Sequence, residues 1–266
     1  MPSPARFLES AGASIVIFDE ASTACRAAAD RIAAALRSAV EARGRAVLGL
    51  ATGSTPRAVY ARLVALHRAG ALSFANAITY NLDEYYPISP SHPLSYRAYM
   101  HEHLFRHVDL APNRAHLLDG SVPEGATAEH AAQYDRWVDA DGGIDLQLLG
   151  IGRNGHIAFN EPSDLPVAEA LNLPSRLVAL HPITRADAAE DFGTPGDVIP
   201  RALTMGVKPI LAARSILVLA LGPGKAEIVS RSLLGPMTAQ VPGSLLQSVP
   251  GKVTWMLDEE AARGLS

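Results

Sequence analysis

The chain has 266 residues, 48% of them hydrophobic and 19% charged, with one cysteine and a formal net charge of −4. That size suits a single α/β domain over residues 1–266, which would bury roughly three quarters of its unfolded surface and need no disulfide staple. The mild negative charge, without a basic stripe, argues against nucleic acid, and no apolar stretch reaches the ~20 residues of a membrane span.

In chain order, Met1–Ala11 has no charged leader followed by an apolar core, so no signal peptide is expected. With a lone cysteine, a cytoplasmic setting is expected. Ile15–Phe18 predicts a strand. Ala21–Glu41 carries Ala, Ile and Leu at three- and four-residue spacing and predicts a helix capped by Ser22 or Thr23, with Cys25 packed inside. Ala46–Leu50 predicts a strand, Pro56–Ala69 a helix and Ala77–Leu82 a strand. Ser95–Arg106 and Ala126–Ala140 follow as helices. Ile144–Leu149, Leu177–Leu180 and Ile216–Leu221 read as strands, then Gly224–Leu234 as a helix and Val253–Leu257 as the last strand. Most strands are apolar on both faces, as in a parallel sheet covered on both sides. The rhythm predicts a three-layer αβα, doubly wound, mostly parallel, Rossmann-like fold. Glu161–Arg176, with Pro162, Pro166 and Pro174, breaks that rhythm and reads as a surface excursion, either an active-site lid or an ordinary connector.

Three constellations fall at strand ends. Thr52, Gly53, Ser54 and Thr55 lie between a strand and the helix expected to open at Pro56. Proline suits a first helical turn, glycine lets the backbone approach a ligand, and free N–H groups there favour an anion. The alternative is a well-capped turn with no ligand. Lys225, after Gly222-Pro223-Gly224, either reaches a phosphate as a point charge or is a solvated helix-start lysine. Asp83 and Glu84 end a buried strand, where a partly desolvated carboxylate gains basicity; one of the two would be a general base, the alternative being that one of them only caps a following turn, and Ser95-Tyr96-Arg97 could close over the same site. The third stretch, Gly150 to Pro162, carries Asn154, His156 and Glu161 in a glycine-rich turn. A histidine beyond a sheet edge, between groups that fix its tautomer, suits a proton shuttle. Its glycine spacing departs from a dinucleotide fingerprint, and neither zinc spacing nor a nucleophile elbow is found.

At Leu50-Ala51-Thr52-Gly53-Ser54-Thr55-Pro56, Asn81-Leu82-Asp83-Glu84-Tyr85, His92-Pro93-Leu94-Ser95-Tyr96 and Gly155-His156-Ile157-Ala158-Phe159-Asn160-Glu161-Pro162, the sequence resembles the glucosamine-6-phosphate deaminase family. Pro200–Val207 and Gly222–Lys225 extend the match in the family's order. The resemblance implies an amino-sugar phosphate held by Thr52, Gly53, Ser54, Thr55 and Lys225. It implies ring opening by His156, steered by Glu161, and proton transfer from C2 to C1 by Asp83. The C2 imine is then hydrolysed, giving fructose 6-phosphate and ammonia, with no metal or cofactor. Two departures stand out. Asn154 replaces the aspartate that many members have beside the histidine. Glu190 falls where many have a phosphate-binding arginine, a role Arg185 could take instead. A related 6-phosphogluconolactonase-like hydrolase, a galactosamine-6-phosphate deaminase and a non-enzymatic sugar-phosphate-binding module are the alternatives. About a dozen residues precede the first expected strand, too few for the helix-turn-helix of a regulator. A homo-oligomer is left open.

Overall fold

The computed structural model describes residues 6–265; Met1–Ala5 of the leader reading and Ser266 lie outside the described residues. Strands β1 (Arg6–Ser10) and β2 (Ala13–Phe18) form a hairpin, followed by α1 (Ala21–Arg43), β3 (Ala46–Leu50), α2 (Ser54–Arg68), β4 (Ala77–Asn81), β5 (Asp83–Tyr86) and α3 (Tyr96–His103). Then come β6 (Ala115–His116), α4 (Thr127–Ala140), β7 (Leu146–Leu149), α5 (Val167–Ala170), β8 (Arg176–Ala179), α6 (Pro182–Phe192) and β9 (Arg201–Thr204). The chain finishes with α7 (Val207–Ala212), β10 (Ile216–Ala220), α8 (Ala226–Leu234) and β11 (Val253–Asp258).

Eight strands make one sheet in the order β1-β2-β11-β10-β7-β3-β4-β6, parallel except for the β1–β2 hairpin. The six expected core strands of this sheet are all present. Their side chains are buried on both faces, as in Ile216–Ala220, because helices cover both sides. Helix α1 lies close on the sheet through Ala24, Cys25, Ala28, Ala29, Ile32, Ala33 and Leu36, whose small members let the backbones approach. Its start differs from expectation. Ser22 and Thr23 are already helical, Glu20 takes the extended cap position, and the Ser22 hydroxyl donates to Glu20 Oε2 at 3.2 Å. Gly44 ends the helix in the left-handed region, its N–H donating to the Val40 carbonyl.

Four features were not anticipated. Strand β1 is exposed and polar at its ends, so it carries no apolar signal; it joins β2 through Ala11 and Gly12, both at positive φ, the pair a tight hairpin requires. Helix α2 begins at Ser54, two residues before Pro56. Leu177–Leu180 does not enter the parallel sheet: β8 pairs antiparallel with β9, which pairs with β5, in a separate three-stranded sheet. Its side chains are only half-buried or exposed, for lack of a covering layer on both faces. Finally, the Glu161–Arg176 excursion leads through β8 into α6, whose residues line the cleft together with the ends of the parallel strands.

Strands β3 and β7 are neighbours, with Leu48 opposite Leu146, yet the chain leaves them in opposite directions. From β3 it passes through α2 to β4 and β6; from β7 it reaches β10 and β11 on the other side. The crevice above such a switch point is where open α/β sheets bind ligands.

Candidate active site

Over that crevice lies a cleft of ≈ 330 Å³. Its lining includes Thr52, Gly53, Ser54, Thr55, Asp83, His156 and Lys225, which are thus brought together from four separate regions of the chain. Asn154 and Glu161 sit behind His156 rather than on the cleft wall. Arg185 does not line it: its Nη2 donates to the Pro195 carbonyl at 2.9 Å.

The first wall is the turn from β3 into α2. Gly53 caps α2 at φ 103, a conformation closed to ordinary side chains, and a Cβ there would meet open space. The N–H groups of Gly53, Ser54 and Thr55 precede the first intrahelical acceptor and carry the positive end of the helix dipole. Proline in the third helical position forgoes an N–H that would have no intrahelical partner either. Two tyrosines fix the turn: Tyr60 donates to the Ala51 carbonyl at 2.5 Å and Tyr99 to the Gly53 carbonyl at 2.6 Å. The Thr52 hydroxyl lies close enough to Asp83 and Tyr96 to favour their charged forms, a small effect beside their burial.

The second wall is the passage from β4 to β5. Leu82 donates to the Leu50 carbonyl at 3.2 Å and accepts from the Met205 N–H at 2.6 Å, bridging the two sheets. Asp83 follows at once and is fixed at the cleft. Its neighbour Glu84 faces the other way. Glu84 Oε1 accepts from the N–H groups of Tyr85 (3.0 Å) and Tyr96 (2.8 Å), and Oε2 from that of Arg97 (3.0 Å). Glu84 therefore caps α3, alongside Ser95, whose hydroxyl accepts from the Ala98 N–H. The structure divides the adjacent carboxylates into a cap and a group free to act. Burial, and then the charge of Glu84, push the Asp83 carboxyl up to about 8, against a smaller opposing pull from the Thr52 hydroxyl. Burial raises Glu84 to about 7, opposed by its backbone donors and by Arg97.

The third wall is the loop after β7. The Gly152 N–H donates to the His156 carbonyl at 2.9 Å, and the Gly155 N–H to the Gly152 carbonyl at 2.9 Å, coiling the loop. A Cβ on Gly152 would lie 2.2 Å from the His156 ring, so only glycine lets the imidazole rest there. Ala158 takes a positive φ of 49, a strained conformation on the cleft wall. The loop is pinned to the small sheet by Phe159 N–H to Thr204 Oγ1 (3.0 Å) and by Asn160, whose amide donates to the Ile157 and Met205 carbonyls.

Behind the ring, His156 Nδ1 lies 3.1 Å from Thr184 Oγ1 and 3.5 Å from Glu161 Oε2. The Asn154 hydrogen bonds go elsewhere than to the imidazole. Its Oδ1 accepts from the His156 backbone N–H at 3.2 Å, and its Nδ2 donates to Glu161 Oε2 at 2.8 Å. Asn154, one of the groups expected to fix the histidine, thus spans the His156 backbone and the Glu161 carboxylate and acts on the ring only through Glu161. Burial pushes the Glu161 carboxyl up, but hydrogen bonds and charge from His156, with Thr184 and Asn154, outweigh it and hold the group low. Thr184 and Glu161 occupy the Nδ1 side, which leaves Nε2 as the ring nitrogen able to exchange a proton with a bound molecule.

Lys225 closes the far side. Its Nζ donates to the Ile151 carbonyl at 2.7 Å, and burial lowers its pKa, with Asp187 opposing and Arg153 adding. Asp258, at the end of β11, accepts from the Gly222 N–H with both oxygens (3.0 and 2.9 Å) and fixes this turn.

Tyr96 reaches the cleft, as its nearness to Asp83 in the sequence allowed, but sequence reasoning missed Thr184, Asp258 and the wall that Tyr96 forms with Tyr85 and Phe159, whose ring centroids lie 4.9–6.2 Å apart. Asp258 had one available signal, its place at a strand's carboxyl end. Thr184 had none, since its partner lies 28 residues away.

A glucosamine-6-phosphate deaminase of Rhodopirellula baltica is 46% identical over 235 residues, covering 88% of this chain and 90% of the relative. Glucosamine-6-phosphate deaminase 2 of Bacillus subtilis is 42% identical over 236 residues, 88% of this chain and 91% of the relative. Among solved structures, a monomeric glucosamine-6-phosphate deaminase superposes with a TM-score of 0.87 at 37% identity, covering 94% of this chain and 99% of the other. Residues 19–255 match the family described as glucosamine-6-phosphate isomerases/6-phosphogluconolactonase, and the chain belongs to that family.

Proposed function

We propose that the chain is an enzyme that converts glucosamine 6-phosphate and water into fructose 6-phosphate and ammonia. The observation that carries this reading is the convergence of the Gly53–Thr55 turn, Asp83, His156 and Lys225 on one cleft. The α2 N-terminus and Lys225 supply an anion seat at one end. His156 Nε2 moves a proton to or from the ring oxygen, with the Glu161 carboxylate on Nδ1 stabilising the imidazolium that forms. Asp83 takes the C2 proton from the open-chain sugar and returns it at C1. A carboxylate whose pKa lies near the working pH can do both, because neither direction of transfer is strongly uphill. Water then attacks the C2 imine, ammonia leaves, and the 2-ketose phosphate remains. Tyr85, Tyr96 and Phe159 give the sugar an apolar wall.

The test is ammonia release from glucosamine 6-phosphate, galactosamine 6-phosphate and unphosphorylated glucosamine. Release from the first in preference to the others is expected; silence on all three would end the reading. Asp83→Asn should lower kcat by about 10²–10⁴-fold while substrate affinity, read by calorimetry, stays near that of the wild type. Equal loss of both would remove Asp83 as the base.

A further inference from the structure

Helix α6 presents three carboxylates to the cleft: Asp187, Glu190 and Asp191. Asp187 is neutralised by Arg153, whose Nε lies 2.8 Å from it. Glu190 is exposed and has no ion pair among the described residues. A phosphate seated at the α2 N-terminus thus faces an uncompensated acidic edge that Lys225, already bonded to Ile151, answers only in part. One further cation lines the cleft. Arg57, on the first turn of α2, places its guanidinium 5.8 Å from the centroid of the Tyr99 ring. The hydroxyl of that same tyrosine holds Gly53 of the anion turn, so ring and turn carry the arginine as one unit. On its other side Nη2 lies 3.8 Å from Asp191 Oδ1, a loose pair with both side chains about half exposed. Such a pair contributes little, and a doubly charged phosphate competes for it readily.

We propose that Arg57 is the specificity-determining guanidinium for the phosphate in this chain, held across the cleft mouth by Asp191 until the substrate's phosphate replaces that carboxylate. A guanidinium suits the role because it grips two phosphate oxygens at once, which a lysine does not. The inference rests on the reading that the cleft takes a phosphorylated sugar.

The experiment is steady-state ammonia release by Arg57→Leu, with inorganic phosphate as a competing probe. The KM for glucosamine 6-phosphate should rise about 10- to 100-fold, the loss of one or two charge-assisted hydrogen bonds. The kcat should stay within about threefold, and inhibition by phosphate should weaken in parallel. Arg57→Lys should fall between. Adding Glu190→Arg to Arg57→Leu should recover most of the KM, an outcome that a merely structural role for Arg57 would not give. An unchanged KM in Arg57→Leu, with a raised KM in Lys225→Ala, would overturn the proposal and leave the phosphate reading standing. Wild-type enzyme that fails to prefer the phosphorylated sugar would instead overturn the phosphate reading itself.

Discussion

Gly152 decides where the His156 imidazole can rest. Its missing side chain leaves the space the His156 ring fills, and the clash built by adding a Cβ falls on ring atoms at 2.2, 2.3 and 2.5 Å. The neighbour that must yield is a side chain, so the fold has room to adjust while the ring does not keep its place. Gly152→Ala should therefore lower kcat/KM about 100-fold or more, the usual consequence of displacing a reacting group by an ångström. Its thermal unfolding midpoint should stay close to that of the wild type. A variant with wild-type turnover would mean that the ring need not sit against Gly152. The same reasoning shows why Asn154 is suited to its place. Its amide donates to Glu161, whereas a carboxylate in that position would meet Glu161 as a like charge, or reach past it toward the ring.

At the scale of elements, the α3 N-terminus settles which carboxylate is free. Glu84 spends both oxygens on three backbone N–H groups and does not line the cleft, so its charge reaches the chemistry only through Asp83. That charge raises the Asp83 pKa, after the larger effect of burial. In Glu84→Gln the like charge is gone, ionisation of Asp83 becomes easier, and the acidic limb of kcat/KM should move to lower pH. The peak value should stay within about tenfold of the wild type, well short of the loss expected for a true base. A pH–rate profile checks both; an unmoved acidic limb would show that another group controls it. The parallel strands were legible because β3, β4, β10 and β11 are apolar runs that need cover on two faces. Asp83, His156 and Lys225 were legible because chemistry-bearing residues past such strands have few structural duties. The division between Asp83 and Glu84 was not, since the deciding N–H groups belong to Tyr96 and Arg97, twelve and thirteen residues on. Nor was the small sheet. Strand β5 contains two acids, and β9 opens on an arginine; both are held by pairing with distant partners rather than by an apolar pattern.

Across the whole molecule, the site is a place where the fold is less stable than it could be. Asp83 and Glu84 are buried at 6% and 2% exposure, and neither has an ion-pair partner among the described residues. Their pKa values rise to about 8 and about 7 from 3.8 and 4.5. The sign of the consequence follows from proton binding. Between the unfolded and folded pKa values the native state holds a proton that the unfolded chain has released, so stability falls as pH rises. The protonated acid's full contribution is present below about pH 4 and is lost as pH climbs through about 8 for Asp83. Asp83→Asn keeps a neutral group of the same shape beside Thr52 and removes that titration. Urea unfolding at pH 5, 6.5 and 8 should therefore show the inactive variant gaining on the wild type as pH rises, reaching on the order of a few kcal/mol at the top. In the variant an ionised Glu84 no longer meets a like charge at position 83, which adds to the gain as pH rises. Parallel curves with no widening gap would mean that Asp83 ionises freely in the folded state. The carboxylate would then lack the raised basicity that lets one group both take and return the substrate's proton.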